Sequence, residues 1–148
     1  MVGPASDSER NAAGPRTAVE RLVDAIGYPE RVPDGARSFT LRVDGAEILA
    51  EESDRRLLLS YRLTDDDGDL PALAGYAAGR LLREEAALAA DPNKPGAFLW
   101  QEAPADAAPR ALVRLFETFM DSCDWWRARL DGAGAPPAEA VPSMMIRP

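Results

Sequence analysis

The chain has 148 residues and a formal net charge of −8, from 17 basic and 25 acidic side chains. This length is sufficient for one domain with a hydrophobic core, and the negative charge disfavours a role in binding nucleic acid. There is no histidine and the single cysteine is Cys123, so the commonest general base, the commonest metal ligand and a disulfide framework are absent. The N-terminal stretch lacks a signal-peptide pattern and no stretch is long and apolar enough for membrane insertion, so a soluble cytoplasmic protein is expected.

The N-terminal part predicts a flexible tail and then a short helix. Residues 1–15 are small, polar and proline-bearing, as in a disordered tail. Thr17 and Glu20 fit a capping box, in which each side chain satisfies a free backbone N–H of the first turn. Gly27 suits the position after the last turn. The apolar positions at helical spacing are Val19, Leu22, Val23 and Ile26.

Residues 37–63 predict an antiparallel meander of three strands. Asp44-Gly45 favours a type I′ turn, and Ser53-Asp54 is a second turn signal. One face of the meander should be apolar and needs a cover. The alternating apolar positions of the three runs are Phe39, Leu41, Val43, Ala46, Ile48, Ala50, Leu57, Leu59, Tyr61 and Leu63.

An acidic loop follows at residues 64–69, and its residues do not fit the pattern of a calcium-binding loop. If Gly68 stood at the sixth position of an EF-hand loop, Leu63 would stand at the first, where its side chain is unable to ligate calcium. A solvated loop is therefore the better interpretation, with Asp69 as the cap of the next helix.

That helix, Leu70 to Leu82, contains Gly75 and Gly79 one turn apart, next to alanines. Small residues at this spacing allow another backbone to approach closely. The partner is either the sheet of the same chain or a second subunit, and the sequence favours neither.

The following segment is ambiguous between helix and strand. Residues 85–90 have helix-forming side chains, but residues 91–96 are a strong turn and residues 97–102 fit a strand with Phe98 and Trp100 on one face. If this strand has an upstream hairpin partner, residues 85–90 are the only candidate.

Asp106 is the predicted cap of a last helix, Ala107 to Leu130. Cys123 lies on its apolar stripe and has no histidine to activate it, so a buried structural cysteine is favoured over a nucleophile. Residues 133–148, rich in alanine and proline, predict a second flexible tail. The stripe consists of Leu112, Leu115, Phe116, Phe119, Cys123, Trp126 and Leu130.

Motifs for phosphate binding, metal binding and nucleophilic catalysis are absent from the sequence. We therefore predict no catalytic residue, no cofactor and no metal, and a protein whose function is binding.

In its order of elements the chain resembles the class I type III secretion chaperones, the Tir-chaperone (CesT-like) family. Residues 22–29 are similar to the first helix of that family and its Leu-Gly-x-Pro type ending, and residues 39–63 to its three strands. Residues 81–92 are similar to the end of its second helix and its fourth strand. Residues 125–130 resemble the Trp-Arg-x-x-Leu ending of its last helix.

The resemblance implies an α+β domain at residues 16–132: helix, three-stranded antiparallel meander, helix, β-hairpin and long C-terminal helix. It makes residues 85–90 a strand. It implies a cytoplasmic homodimer, connected with virulence, that binds the N-terminal segment of an effector protein and presents it to the secretion apparatus without hydrolysing nucleotide.

The predicted client groove lies between the first helix and the meander, because that helix is too short to cover three strands. Its predicted lining is Val23, Phe39, Leu41, Ile48 and Leu57. The predicted dimer interface is Gly75, Ala78, Gly79, Leu82, Leu88 and Trp100.

Two other functions are compatible with the sequence. One is a non-secretory binding or regulatory protein on the same fold, which would not copurify with a secreted client. The other is a small enzyme with a carboxylate-based site, which requires a deep polar pocket with converging aspartates or glutamates.

Overall fold

The computed structural model of the chain describes residues 16–80, 84–90 and 92–131. The helices are α1 (Ala18–Ile26), α2 (Leu70–Arg80) and α3 (Pro109–Asp131). The strands are β1 (Ser38–Val43), β2 (Ala46–Ser53), β3 (Arg56–Thr64), β4 (Ala87–Ala90) and β5 (Ala97–Pro104), and a 3-10 turn (Asp67–Asp69) precedes α2. This is the predicted α+β order of elements.

Some predicted features lie outside the described residues. They are the two tails, residues 1–15 and 133–148, and the C-terminal end of the second helix at Leu82. None of the described helices is long and apolar enough to cross a membrane.

The strands form one antiparallel sheet in the order β1-β2-β3-β5-β4. β1 and β2 are joined through Asp44 and Gly45, whose φ angles of 51° and 82° are those of the predicted type I′ turn. The second turn is centred on Asp54 and Arg55, one residue later than predicted, because the strand pairing continues to Ser53.

The segment that local propensity would extend as a helix is a strand. β4 starts at Ala87, inside the predicted 85–90, and pairs in register with Ala97–Trp100. The turn before β5 requires Gly96, because its φ is 116° and a Cβ there would lie 2.1 Å from the carbonyl oxygen of Thr64. Helix propensities of ordinary residues differ by under about 1 kcal/mol each. The backbone hydrogen bonds that this segment makes to β5, which is itself paired with β3, outweigh these small differences.

The core lies between one face of the sheet, its inner face, and the helices. Pairing of Leu41 with Ile48 and of Ala50 with Leu59 puts the alternating apolar residues of the meander on this inner face. The predicted stripe of α3 faces it, with Phe116 and Leu130 only half-buried at its sides. Its fully or almost fully buried members are Leu112, Leu115, Phe119, Cys123 and Trp126.

The predicted capping box fixes the start of α1. The Thr17 hydroxyl accepts a hydrogen bond from the N–H of Glu20 at 3.1 Å, and the Glu20 carboxylate accepts one from the N–H of Thr17 at 2.7 Å. The same carboxylate accepts from the N–H of Gly35 at 2.9 Å. Glu52 on β2 accepts from the N–H of Ala18 at 2.8 Å, so the first turn of α1 is tied directly to the sheet.

The predicted cap of the last helix is placed differently. Asp106 lies in a turn, and α3 begins later, at Pro109, whose ring and missing N–H suit a first turn. The 3-10 turn before α2 is capped by Asp66, whose carboxylate accepts from the N–H of Gly68 at 2.9 Å. Asp69 is the last residue of that turn and directly precedes Leu70, the first residue of α2.

Glu20 makes the stability of the fold dependent on pH. Hydrogen bonds from the backbone N–H groups of Gly35 and Thr17 lower the pKa of Glu20 below its ordinary value. A lowered folded-state pKa means that the stabilisation is present above the unfolded pKa and is lost as the pH falls through the folded pKa. Glu20→Gln should reduce the free energy of unfolding near neutral pH by roughly 1 kcal/mol or less, because this carboxylate is partly exposed.

Urea unfolding of both proteins at several pH values measures this effect. The difference between wild type and Glu20→Gln should shrink as the pH falls below about 4.5. Glu30→Gln, in the exposed loop after α1, is the matched control and should change stability less. A difference that is equal at neutral and acidic pH would contradict the role given to this carboxylate.

Candidate protein-binding surfaces

One partly covered apolar surface lies where α1 meets β1. Val23 and Ile26 lie about one helical turn apart on α1, and both are half-buried against the core. The ring of Tyr28 packs edge-on against the ring of Phe39 on β1, with their centroids 6.3 Å apart. We call these four residues the α1–β1 strip, because they give the edge of the sheet an apolar side that solvent still reaches.

The other predicted groove residues belong to the core. Leu41, Ile48 and Leu57 are each 0% exposed, so they do not line an open groove and that part of the prediction is corrected. The physical reason is that α3 lies beside α1 and closes the inner face which α1 alone is too short to cover. Val23 and Phe39 keep partial exposure and remain candidates for client contact.

A second surface is the outward side of α2. Gly75, Ala78 and Gly79 are exposed, and so are Ala72 and Ala74 beside them. A Cβ added at either glycine would meet nothing within 4 Å, apart from the helix itself. Of the two interpretations that the sequence left open, packing of this side against the sheet of the same chain is therefore not seen among the described residues.

The inward side of α2 is held by an aromatic and ionic cluster at the end of α3. The guanidinium of Arg80 lies 3.8 Å from the centroid of the Trp125 ring and donates to the Glu84 carboxylate at 3.1 Å. The indole N–H of Trp126 donates to the same carboxylate at 3.2 Å. Tyr76 meets both tryptophan rings edge-on at 6.1 and 6.3 Å. These contacts fix the rotation of α2 and so keep its small residues facing outward.

A third surface was not predicted from the sequence, except that one of its residues, Trp100, was predicted to lie at the dimer interface. On the outer face of the sheet, opposite the helices, four half-buried apolar side chains do not pack against the core; we call them the outer-face patch. A signal was present, since Leu57, Leu58 and Leu59 form a continuous apolar run, and such runs are typical of strands covered on both faces. The outer-face patch consists of Leu49, Leu58, Phe98 and Trp100.

The hairpin of β4 and β5 contributes to two different surfaces. Leu88 pairs with Leu99 and packs against the core on the inner face, while Trp100 pairs with Ala87 and points to the outer face. The two hairpin residues predicted for the dimer interface therefore do not share one face of the sheet.

Cys123 has the properties of a structural residue. It is fully buried on the stripe of α3, and burial raises the pKa of its thiol to about 12. A thiol with this pKa is almost entirely protonated at neutral pH and is a poor nucleophile. This agrees with the structural interpretation drawn from the sequence.

A polar cleft of about 470 Å³ lies between the start of the hairpin and α3. Two of the carboxylates lining it face arginine: Glu84 lies 3.1 Å from Arg80, and Glu85 lies 3.9 Å from Arg114. Beneath the cleft, the Gln101 amide N–H₂ donates to Glu85 at 3.1 Å. Among the described residues no group of three histidines, cysteines, aspartates or glutamates is arranged to hold a metal ion.

Comparison with known proteins identifies the fold. No protein-family model matches the chain, and no curated protein matches it in sequence. Among solved structures, the chain is similar to the HopA1-SchA chaperone-effector complex with a TM-score of 0.57, 19% identity, and coverage of 75% of this chain and 91% of that chain. The chain is also similar to the ExoT-SpcS complex from Pseudomonas aeruginosa. The TM-score is 0.57 and the sequence identity is 19%, with coverage of 72% of this chain and 91% of that chain.

A third similar structure is the type III secretion chaperone SycH of Yersinia pestis in complex with a stable fragment of YscM2. Its TM-score is 0.52 and its identity is 13%, with 71% of this chain and 92% of that chain covered. The chain therefore has the α+β fold of these three solved structures, one of which contains a type III secretion chaperone, in agreement with the resemblance seen in its sequence.

The open side of α2 gives a test of subunit contact. Gly75→Leu and Gly79→Leu have room in the single chain, so each should keep its helical circular dichroism. If a second copy packs its backbone there, the leucine forces the two copies apart, and light scattering should show a shift from dimer towards monomer.

Ala111→Leu, at an exposed alanine on α3, is the matched control and should leave the mass unchanged. If the wild-type chain is monomeric, or if both glycine variants remain dimeric, this side of α2 is not the subunit contact.

Proposed function

We propose that this chain is a cytoplasmic, homodimeric chaperone of type III secretion that binds the N-terminal segment of an effector protein. It holds that segment extended and presents it to the secretion apparatus. The observation that carries the proposal is the fold shared with the HopA1-SchA chaperone-effector complex over three quarters of this chain. Surfaces suited to protein contact support it independently.

The proposed client site is the α1–β1 strip. An extended segment laid along it buries apolar side chains against Val23 and Phe39, which contributes about 25 cal/mol per Å² of apolar surface removed from water. The neighbouring edge of β1 offers main-chain hydrogen bonds to the same segment, as in other cases of strand addition. Together these interactions bind a chain that has no fold of its own.

The proposed subunit contact is the outward side of α2. Each glycine inside a helix costs up to about 1 kcal/mol relative to alanine, so two on one exposed face need a compensating contact. Close approach of a second backbone supplies that contact. Trp100 and the rest of the outer-face patch lie on a different surface, the outer face of the sheet. They offer a second apolar area to a partner.

A catalytic step is not part of the proposal. The buried thiol of Cys123 is protonated at neutral pH, and two carboxylates of the polar cleft, Glu84 and Glu85, are paired with arginine. The net charge of −8 keeps a protein with exposed apolar surfaces soluble. Binding alone accounts for these features, and we propose neither nucleotide nor metal dependence.

Comparison of secreted proteins tests the function. Deleting the gene in its native host should remove one or a few proteins from the type III secretome, and each should form a complex with the purified chain through its N-terminal segment. A secretome that does not change on deletion would contradict the chaperone role and favour a regulatory binding protein on the same fold.

Substitutions then locate the client site. Val23→Asp places a charge on the α1–β1 strip and should weaken the client complex by about ten- to a hundredfold, the equivalent of about 1.5–3 kcal/mol for one apolar side chain. Because Val23 is only half-buried, the variant should still fold. Ile48→Asp places an unpaired carboxylate in the core and should unfold the chain, at a cost of several kcal/mol.

Val113→Asp is the matched control, since Val113 is also half-buried but lies on α3 and does not pack against the core. Isothermal titration with the client segment, together with thermal midpoints, measures all three variants. Normal binding by Val23→Asp, or equal loss in Val113→Asp, would exclude the α1–β1 strip as the client site.

A further inference from the structure

β1 is an edge strand, and alternate residues of it point their main-chain groups away from the sheet. The two-residue turn makes Val43 and Ala46 a hydrogen-bonded pair, and in an antiparallel ladder such pairs alternate with non-bonded ones. The N–H and C=O groups of Thr40 and Arg42 therefore face the open edge. An edge of this kind is a template for pairing with another strand.

A side chain already occupies part of that edge. The hydroxyl of Tyr28 accepts a hydrogen bond from the backbone N–H of Arg42 at 2.8 Å, the position where the carbonyl oxygen of a neighbouring strand would lie. Tyr28 is brought there by the end of α1, where Gly27 takes a φ of 69° and the N–H of Tyr28 donates to the carbonyl of Val23 at 3.0 Å. The backbone is thus fixed, and rotation of the tyrosine side chain is enough to free the N–H.

We propose that Tyr28 is a replaceable edge cap of the client site. Its hydroxyl holds the Arg42 N–H while the edge is empty, and a backbone carbonyl of an extended client segment replaces it when that segment adds beside β1. The inference rests on the proposed function and adds to it the edge, the register position and the residue that the client must displace.

The occupant is an extended segment with alternating apolar side chains and no net negative charge. Its inward side chains reach Val23, Ile26 and Phe39, which flank the edge, and the net charge of −8 on this chain favours a neutral or basic segment. A second copy of this chain fits less well. The short strand Ser38–Val43 offers far less surface than the roughly 1,200 Å² that a stable interface buries.

The variant Tyr28→Phe removes the hydroxyl and keeps the aromatic ring, so it distinguishes the contribution of the one from that of the other. The variant keeps the edge-on contact with Phe39, so its thermal midpoint should stay close to that of the wild type. Without a hydroxyl to displace, it should bind an added strand about threefold to tenfold more tightly, the equivalent of one net hydrogen bond. Tyr61→Phe, at a half-buried tyrosine on β3, is the matched control.

The probe is a short synthetic peptide of alternating valine and threonine with lysine at both ends, and the same peptide with a central proline is its negative control. Titration into ¹⁵N-labelled protein gives the affinity and the site. In the free variant the Arg42 amide should exchange with solvent faster than in the wild type, and added peptide should protect it in both proteins.

Equal affinity of the peptide for wild type and Tyr28→Phe would overturn the inference, and so would chemical shifts confined to the β4 edge. Self-association of Tyr28→Phe without peptide binding would also overturn it, by showing that Tyr28 only guards the edge against other copies. Each of these outcomes is compatible with a normal client complex and an altered secretome, so they are distinct from failure of the proposed function.

Discussion

The contact between the inner face of the sheet and the apolar stripe of α3 is the interaction on which the rest of the structure depends. Phe119 and Trp126 are the largest fully buried side chains in the core. Full burial of a side chain of this size contributes roughly 1.5–3 kcal/mol. With α1 packed beside α3, this face is closed, and Arg21 of α1 donates to the carbonyls of Ala105 and Ala107 just before α3.

The helices cover only the inner face of the sheet, and this determines which surfaces remain for partners. The outer-face patch and the outward side of α2 have no cover among the described residues, and on the edge of β1 the Tyr28 hydroxyl occupies the N–H of Arg42. On α2 the two sides have opposite roles. Arg80 on the inward side pairs with the carboxylate of Glu84, whose side chain is only 5% exposed, and the indole N–H of Trp126 donates to the same carboxylate, so both contacts offset its desolvation. The outward side carries the small residues. The contacts of the inward side fix the rotation of α2 and therefore the direction in which these small residues face.

Local patterns in the sequence predicted the elements whose signals do not depend on tertiary contacts. The capping box of Thr17 and Glu20 and the Asp44-Gly45 turn are of this kind, because short-range hydrogen bonds and positive φ angles specify them. The strand at Ala87–Ala90 is different, since its own residues favour helix and only its pairing with β5 decides it. Resemblance to a family identified this strand, whereas propensity would have missed it.

The candidate site was harder to predict than the fold. Leu41, Ile48 and Leu57 alternate along their strands as Phe39 does, and no local pattern tells which of them α3 covers. Trp100 was predicted to lie at the dimer interface. Its position on one face with Leu49 and Leu58 was not predicted, because only the strand order β1-β2-β3-β5-β4 brings these residues together. Burial of single residues is a property of the assembled layers, and a one-dimensional pattern does not contain it.

Binding of an extended client along α1 and the β1 edge is the central claim. Hydrogen–deuterium exchange of the chain, alone and with the N-terminal segment of its secreted client, tests it most directly, because it reports which backbone amides the client covers. The account predicts new protection at residues 38–43 and around residues 23–28, with little change in β3. Protection confined to β4 and β5, or none at β1, would contradict it.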